Sequence, residues 1–589
     1  MFLKSLFNSG EPSNRVCKLF IEDLRKKYSN NINVSQYIIE RLIKENVNKA
    51  FGYNGGAALP FFDNIQKFKD FEVVISRHEQ ASGHSAQAYS KITNNLGVLL
   101  TTSGPGFTNV ITPLQDAYSD GHPLLCISGQ VNTKALGTDA FQECDAINIS
   151  RSCVKDNMQI TSPSYFANNL EYMINNAKHP RKGPVHLDIC KDIFSMKVNL
   201  EEILFKTSNY SEDEEFVNKD INRLLIKLQK SKKPVLITGA GAVDSYEEVR
   251  KFVRKFNIPC ATTLHGLGII NESSKYSLKM IGMHGSYYGN KALEEADLII
   301  GLGNRFDDRT VGKLDEFAIN ARKNYGIIHI DNSCEQSYKV RQLIEPCLSI
   351  NNDCKKVLKY MNKLNYQNVN RDDWFREINN WKKEFKLPNS NKLTGNYIIE
   401  KLSEELKNDS NYLLTTGVGS HQMVTAQYFN HKLPNRFLTS GSLGTMGSGM
   451  PFAVGAQIAN PELNVFLIDG DGSFTMSLND MATVVEYNLP IKMFVFNDQK
   501  LKMVNLWQEL FYEKRIIGSQ FKYTPQFDKI ADAYNIKSFA TNKKSDVKTI
   551  IKETIAHKGP VLVNWNIETS YCLPFVPPNT RLGNMITSH

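Results

Sequence analysis

Long apolar runs are missing from this chain of 589 residues: no uninterrupted stretch reaches the roughly eighteen residues that a membrane-spanning helix requires. The ten cysteines are scattered, with no Cys-x-x-Cys pair and no grouping with histidine. That excludes a zinc site and a disulfide framework, and it fits a reducing compartment. A dense basic stripe is also absent. The formal charge of +9 is spread thinly, in patches such as 230–233 and 543–548, so a nucleic-acid footprint is not expected. The first thirty residues hold no long apolar segment of the kind a secretion signal needs, and Glu11, Glu22 and Asp23 weigh against a transit peptide. The cytoplasm is therefore the expected compartment, with a plastid or mitochondrion as the alternative. What is there is a globular composition, 41% hydrophobic and 22% charged, in a length that holds roughly three or four domains.

The most informative stretch runs from Val465 to Met503. Two apolar runs, ending at Asp469 and Phe496, have the length and the β-branched and aromatic content of buried strands, and a helical pattern lies between them. Such a strand–turn–helix–strand unit puts both strand ends on one rim of a parallel sheet, where ligands bind. Gly470-Asp471-Gly472-Ser473 follows the first strand and Asn497-Asp498 the second, so Asp471 and Asp498 should meet despite their separation. Two hard oxygen ligands beside glycines that let a diphosphate approach the backbone describe a Mg²⁺–diphosphate seat. Gly-Asp-Gly alone reads equally as a tight turn.

Upstream, strands and helices alternate through 31–193. Glycine-bearing turns at Gly55-Gly56, Gly104-Pro-Gly106 and after Leu124–Ser128 all fall at strand carboxyl ends. Glu79 stands where a strand gives way to a helix; alone, it is a first-turn carboxylate favoured by the helix dipole. A second unit over 220–363 opens on Lys233-Pro-Val-Leu-Ile-Thr-Gly239-Ala-Gly241. A dinucleotide fingerprint would place a third glycine near 244, where Asp244 stands instead. A polar linker with a short helix is expected between 364 and 392. A third unit over 395–576 contains Gly417-Val418-Gly419-Ser-His421, Thr439-Ser-Gly-Ser-Leu-Gly444-Thr-Met446-Gly447 and the aspartate pair. The fold class expected is α/β, with three doubly wound parallel-sheet domains.

Taken together, Arg77-His-Glu79-Gln-Ala, Gly104-Pro-Gly-Phe-Thr-Asn109, Phe141-Gln142-Glu143, Arg305-Phe-Asp307-Asp-Arg309 and Gly470-Asp471-Gly472 resemble the thiamine diphosphate enzymes, and within them the large catalytic subunits of acetohydroxyacid synthase (acetolactate synthase). The likeness spans about residues 34–575. It implies three domains: a pyrimidine-binding domain (31–193), a central FAD-binding-like domain (220–363) and a diphosphate- and Mg²⁺-binding domain (395–576). It also implies condensation of two pyruvate molecules, or of pyruvate with 2-oxobutyrate, with loss of CO₂, at the entry to branched-chain amino acid synthesis. By resemblance, Glu79 hydrogen-bonds N1′ of the coenzyme's aminopyrimidine, so that the 4′ nitrogen becomes a base against C2, the reaction itself belonging to the cofactor. Gln142, Phe141 and Met446 complete the catalytic set, Met446 as a wedge that bends the coenzyme. Gly104, Asn109, Val418, Gly419, His421, Gly444, Gly472, Ser473 and Met503 line the thiamine diphosphate, and the Lys500 carbonyl joins Asp471 and Asp498 at the metal.

The FAD site would comprise Arg181, Gly239, Gly241, Met283, His284, Gly303, Arg305, Asp307, Arg309, Asp331 and Asp353. Arginines suit a diphosphate and aspartates suit ribose or adenine donors. An adenine-site relic that binds nothing is the competing view. Lys191, Arg309, Met503 and Trp507 would face substrate, although Lys191 alone reads as surface and Trp507 alone as core. Departures from the family pattern are Asp498 where asparagine is usual, Ser420 for glutamine, and Leu501-Lys502 for Gln-Gly, where Lys502 would resist a left-handed backbone. Partners implied are small 2-oxoacids, a second copy of the chain in a homodimer or homotetramer with sites shared between subunits, and a regulatory small subunit. The alternatives are another decarboxylase or carboligase of the same fold, or a binding homologue that has lost catalysis. The Pro-rich tail from Leu573 to Pro578 is expected to be a lid or a subunit-contact arm.

Overall fold

Strands such as Leu124–Gln130, Pro184–Cys190, Pro234–Thr238 and Lys492–Asn497 are buried along their whole length rather than alternating. That pattern belongs to parallel sheets covered on both faces. The computed structural model, which describes residues 12–29, 31–201, 214–367, 369–386 and 390–588, has three such sheets of six strands. The first contains β1 (Lys49–Gly52), β2 (Glu72–Ile75), β3 (Gly97–Thr101), β4 (Leu124–Gln130), β5 (Asn157–Ile160) and β6 (Pro184–Cys190), in the order β2-β1-β3-β4-β6-β5. The third contains β13 (Tyr412–Thr416), β14 (Phe437–Leu438), β15 (Asn464–Gly470), β16 (Lys492–Asn497), β17 (Lys537–Thr541) and β18 (Val561–Asn566). Its order, β14-β13-β15-β16-β18-β17, repeats the first strand for strand.

The middle sheet differs. It contains β7 (Pro234–Thr238), β8 (Cys260–Thr262), β9 (Ser277–Met280), β10 (Leu298–Leu302), β11 (Gly326–Asp331) and β12 (Leu348–Asn351), ordered β12-β11-β10-β7-β8-β9. Numbered within the domain and read from β9, this is 3-2-1-4-5-6, the order of dinucleotide-binding sheets, with the reversal between β7 and β10. The loops after those two strands touch at glycine: a Cβ on Gly239 would lie 2.3 Å from the Gly303 carbonyl oxygen, and one on Gly241 2.8 Å from Gly303 Cα. Asp244 therefore does not spoil the site, because close approach is supplied by Gly303 from the other side of the crevice.

Helices Glu79–Thr93 and Gly449–Ala459 clamp the first and third domains together. A Cβ on Gly455 would fall 2.0 Å from the Ser85 carbonyl oxygen, and Ser85 Oγ donates to the Pro451 carbonyl at 2.9 Å. Ala88 packs in one buried cluster with Phe452, Ala453 and Ala456 of the other helix.

Two expectations are corrected here. The stretch after 364 has the expected helix, Asp372–Glu384, but it is not a mere linker, since that helix buries Trp374 (2% exposed) and Ile378 in the middle domain's core. Arg371, just before it, donates to the carbonyls of Phe256 and Leu228 at 2.5 and 2.7 Å. Composition hid the amphipathic face. The tail is not a lid either: Leu573, Phe575 and Val576 are buried, Val576 N donates to the Met283 carbonyl at 2.8 Å, and Tyr428 Oη donates to the Leu573 carbonyl at 2.7 Å. It straps the middle domain to the third. Among the described residues no helix is long and apolar enough to cross a membrane.

Candidate active site

The loops after β13, β14, β15 and β16 converge on the same rim of the third sheet. Asp471 opens the short helix after β15, and Asp498 follows β16. Asp471 Oδ1 accepts from Gly472 N and Oδ2 from Gln499 N, both at 2.7 Å, so the carboxyl plane is fixed. Burial, reinforced by Asp498, pushes Asp471 up to about 7; burial pushes Asp498 up to about 6, opposed by Lys502 and Lys500. Two desolvated acids that repel each other in one cavity form an arrangement a divalent cation would relieve. No cluster of three His, Cys, Asp or Glu side chains occurs among the described residues, so further ligands would have to be backbone or ligand oxygens.

The backbone beyond the second aspartate resolves the concern over Leu501-Lys502. Leu501 has φ −76° and Lys502 begins helix Lys502–Phe511, while the left-handed residue is Gln499 at φ +58°. A Cβ added at Gly444, which has φ +78°, would meet nothing nearer than Val418 Cγ1 at 3.9 Å, which leaves a slot bounded by Val418, Gly444 and Met446. Ser473 Oγ accepts from Gly447 N at 2.9 Å and ties the slot to the aspartate loop. His421 Nε2 lies 3.2 Å from Asp469 Oδ1, and its ring fills the space that side chains on Gly419 and Gly470 would need.

A single cavity of about 1650 Å³ runs from this rim into the middle domain. Its walls include Val418, Gly419, His421, Gly444, Met446, Asp471, Gly472, Ser473, Asp498, Lys500, Met503 and Trp507 on one side. On the other stand Arg181, Gly239, Gly241, Met283, His284, Gly303, Arg305, Asp307, Arg309, Asp331 and Asp353. Arg305 Nη1 donates to the Ser119 carbonyl at 2.6 Å, and Arg181 Nη2 donates to the same oxygen. Burial and then Arg305 lower the Arg181 pKa, the signature of two guanidinium groups crowded where an anion would fit. One oxygen of Asp331 accepts from Ser333 N (2.8 Å) and one of Asp353 from Lys356 N (3.0 Å), leaving the other oxygen of each for a ligand. Asp307 caps helix Asp308–Val311 in the same way, with Oδ1 accepting from Thr310 N and Oγ1, while its Oδ2 stands 3.7 Å from Arg305 Nη2. Burial pushes His284 down to about 3, so it is neutral, and its ring sits 5.2 Å from that of Phe575. The Arg309 guanidinium lies 5.6 Å from the Trp507 ring centre, setting a cation against an apolar wall.

Six expected residues lie outside this cavity: Glu79, Gly104, Asn109, Phe141, Gln142 and Lys191. All but Lys191 gather at a second locus on the first domain's rim. Glu79 is the first residue of its helix, and its Oε2 accepts from Asn109 Nδ2 at 3.0 Å, leaving Oε1 open. Gly104, at φ +58°, is pressed on Gln142, whose carbonyl oxygen would be 2.9 Å from an added Cβ. Gln142 itself is left-handed at φ +62°, and Phe141 is 88% exposed. Lys191 follows β6, its amide bonded to the Gln130 carbonyl. Within one chain the two loci do not share a cavity. Reading the sequence missed Asp116, Asp120, His265 and Ser440, which join the domains behind the site. Two acids four residues apart on an otherwise uncharged helix were the available signal.

Residues 32–149, 221–361 and 417–565 match, in turn, the N-terminal TPP binding domain, the central domain and the C-terminal TPP binding domain of thiamine pyrophosphate enzymes, so the fold and its rims are those of that class. The mitochondrial acetolactate synthase of Schizosaccharomyces pombe is 40% identical, over 93% of this chain and 85% of its own length. The mitochondrial acetolactate synthase catalytic subunit of Saccharomyces cerevisiae is 37% identical over 98% and 87%. The large subunit from Lactococcus lactis subsp. lactis is 36% identical over 94% and 96%. The chain belongs to the acetolactate synthase family, on the side of its large, catalytic subunits.

Proposed function

We propose that this protein joins two pyruvate molecules, or pyruvate and 2-oxobutyrate, with release of CO₂, to give 2-acetolactate or 2-aceto-2-hydroxybutyrate. The observation that carries the reading is the cavity in which the Asp471–Asp498 pair and the Val418–Gly444–Met446 slot lie together. Bound thiamine diphosphate supplies the nucleophilic carbon and the electron sink. The chain's own residues do the rest. Asp471, Asp498 and the Lys500 carbonyl hold Mg²⁺; Gly472 and Ser473 bring backbone amides towards a diphosphate. Glu79 exchanges a proton with the coenzyme's pyrimidine through Oε1, because Asn109 occupies Oε2. Arg309 takes the substrate carboxylate, Met503 and Trp507 enclose the acceptor's alkyl group, and Lys191 guards the approach.

Since Glu79 stands outside the cavity of its own chain, the complete site is assembled from two copies. Phe141 and Gln142 enter with Glu79, and the exposure of Phe141 supports this. In the middle domain the strand order, the touching glycines and the converging arginines support a dinucleotide, and FAD is the one proposed. It has no net redox task, because joining two 2-oxoacids consumes no electrons. A regulatory small subunit is proposed from the relatives' designation as large or catalytic subunits. The cytoplasm remains the compartment read from the sequence, with the mitochondrion the alternative that the names of the fungal relatives favour.

The test is product analysis with pyruvate, thiamine diphosphate, Mg²⁺ and FAD, using the full chain. Acetolactate is expected; acetaldehyde would identify a decarboxylase, and no gas release would identify a binding homologue.

A further inference from the structure

Helix Ile111–Asp120 carries Asp116 and Asp120 one turn apart on a single face, and both are buried. Like charges at this spacing oppose helix formation, and burial adds a large desolvation penalty. Such a local conflict persists only where the surroundings answer it. The answer comes from the third domain, in the turn Thr439–Gly447. Gly441 N and Ser442 N donate to Asp120 at 2.9 and 3.0 Å, while Ser440 Oγ donates to Asp116 Oδ1 at 2.5 Å.

Ser440 is the hub. A hydroxyl has one proton and two lone pairs. Its proton is committed to Asp116, and its lone pairs accept from Gly444 N at 3.1 Å and Thr445 N at 2.9 Å. The orientation of the Gly444–Thr445 backbone is thus dictated by a carboxylate on another domain. Behind it, Asp116 Oδ2 accepts from Gln87 Nε2 at 3.2 Å, and Gln87 Oε1 pairs with His84 Nδ1 at 2.7 Å. Gln87 and His84 belong to the helix whose first residue is Glu79. A continuous ladder therefore joins that helix to the turn that carries Gly444 and Met446.

We propose that Asp116, acting through Ser440, is a positioning residue that fixes the Gly444–Met446 segment against the coenzyme's rings. This rests on the functional reading above, in which that segment touches thiamine diphosphate. A residue that merely held domains together would change stability and coenzyme affinity. A positioning residue changes how well the bound coenzyme gives up its C2 proton.

The experiment measures hydrogen–deuterium exchange at C2 of bound thiamine diphosphate by quenched flow and NMR, at saturating coenzyme and Mg²⁺, with coenzyme Kd by calorimetry. Ser440→Ala and Asp116→Ala should slow exchange about tenfold to a hundredfold, with Kd weakened by only about threefold. Asp116→Asn keeps an acceptor for Ser440, and a flip of Gln87 relieves the clash of amide groups, so exchange should stay within about threefold of the unaltered protein. Exchange in Ser440→Ala within about twofold of that protein, with coenzyme bound, overturns the proposal. If the alanine variants do not retain coenzyme, Ser440→Cys, with its weak thiol donor, should show intermediate slowing, and unchanged exchange there overturns it equally. An unaltered protein that binds no thiamine diphosphate would instead overturn the functional reading itself.

Discussion

Chains carrying Glu79→Gln and chains carrying Asp471→Asn, each inactive alone, should recover activity when co-assembled. The size of the recovery follows from the placement of the two loci. Glu79 lies outside the cavity that Asp471 lines, and on the proposed shared site a two-fold dimer would hold two sites, each pairing Glu79 of one copy with Asp471 of the other. In a mixed dimer both lesions fall in one site and the other site is intact. Random mixing makes about half the dimers mixed, so about one quarter of the full activity returns, and about one half if the mixed species is isolated with two tags. Each pure variant should retain only about 10⁻² to 10⁻⁴ of the rate, as expected for loss of a proton-transfer group or a metal ligand. The assay is acetolactate formation against the fraction of mixed dimer measured by mass spectrometry. Activity that never rises above the sum of the two pure variants would refute the shared site, because in a self-contained chain every site of the mixed dimer would carry one lesion.

Trp507→Leu should lower the preference for 2-oxobutyrate over pyruvate by about tenfold, the worth of one to two methylene contacts, read from the product ratio in competition. Gly303→Ala, at a position with φ +53°, places a methyl group 2.5 Å from the Gly241 backbone and should cost about 1–3 kcal/mol, with loss of bound flavin colour and a lower Tm. Chelation of Mg²⁺ should lower Tm by the equivalent of about 2.7 kcal/mol when the ion had been present at a hundred times its Kd, reversed by adding it back. His186 is pinned between Ser128 Oγ (2.7 Å) and Ser150 Oγ (2.9 Å), and burial pushes it down to about 3. Its folded pKa is below the ordinary value of about 6.5, so the unfolded chain binds the extra proton and stability is lost as pH falls from there towards 3. The drop in Tm between pH 7 and pH 5 should be smaller in His186→Gln than in the unaltered protein.

Locally encoded features were legible in the sequence. The strand at Val465–Asp469, the glycine turns and the meeting of Asp471 with Asp498 on one rim all follow from apolar runs and turn residues read within a few tens of positions. So did the α/β class. The misreadings are of a different kind. Helix Asp372–Glu384 was expected as a short helix within a linker rather than as core, because its lysines and asparagines outweigh one buried tryptophan and one isoleucine. The tail was read as a lid or a subunit-contact arm because proline marks irregular chain but says nothing of what the intervening Leu573 and Phe575 touch. Asp116 and Ser440 are 324 positions apart, and no local signal pairs them. Lys502 raised a backbone concern that the structure answers by moving the left-handed position to Gln499. Which cavity Glu79 serves depends on how copies assemble, and that is not written in any one stretch.

The first and third sheets share one strand order, yet their rims carry unlike chemistry: a carboxylate beside an asparagine on one, an acid pair beside glycines on the other. A duplicated scaffold thus supports a division of labour. With the acid pair confined to one rim, the other rim is free to present a different chemistry, while the core residues of each sheet meet the same packing demands. Exchanging the rim loops between the two repeats would leave two well-formed sheets and no working enzyme.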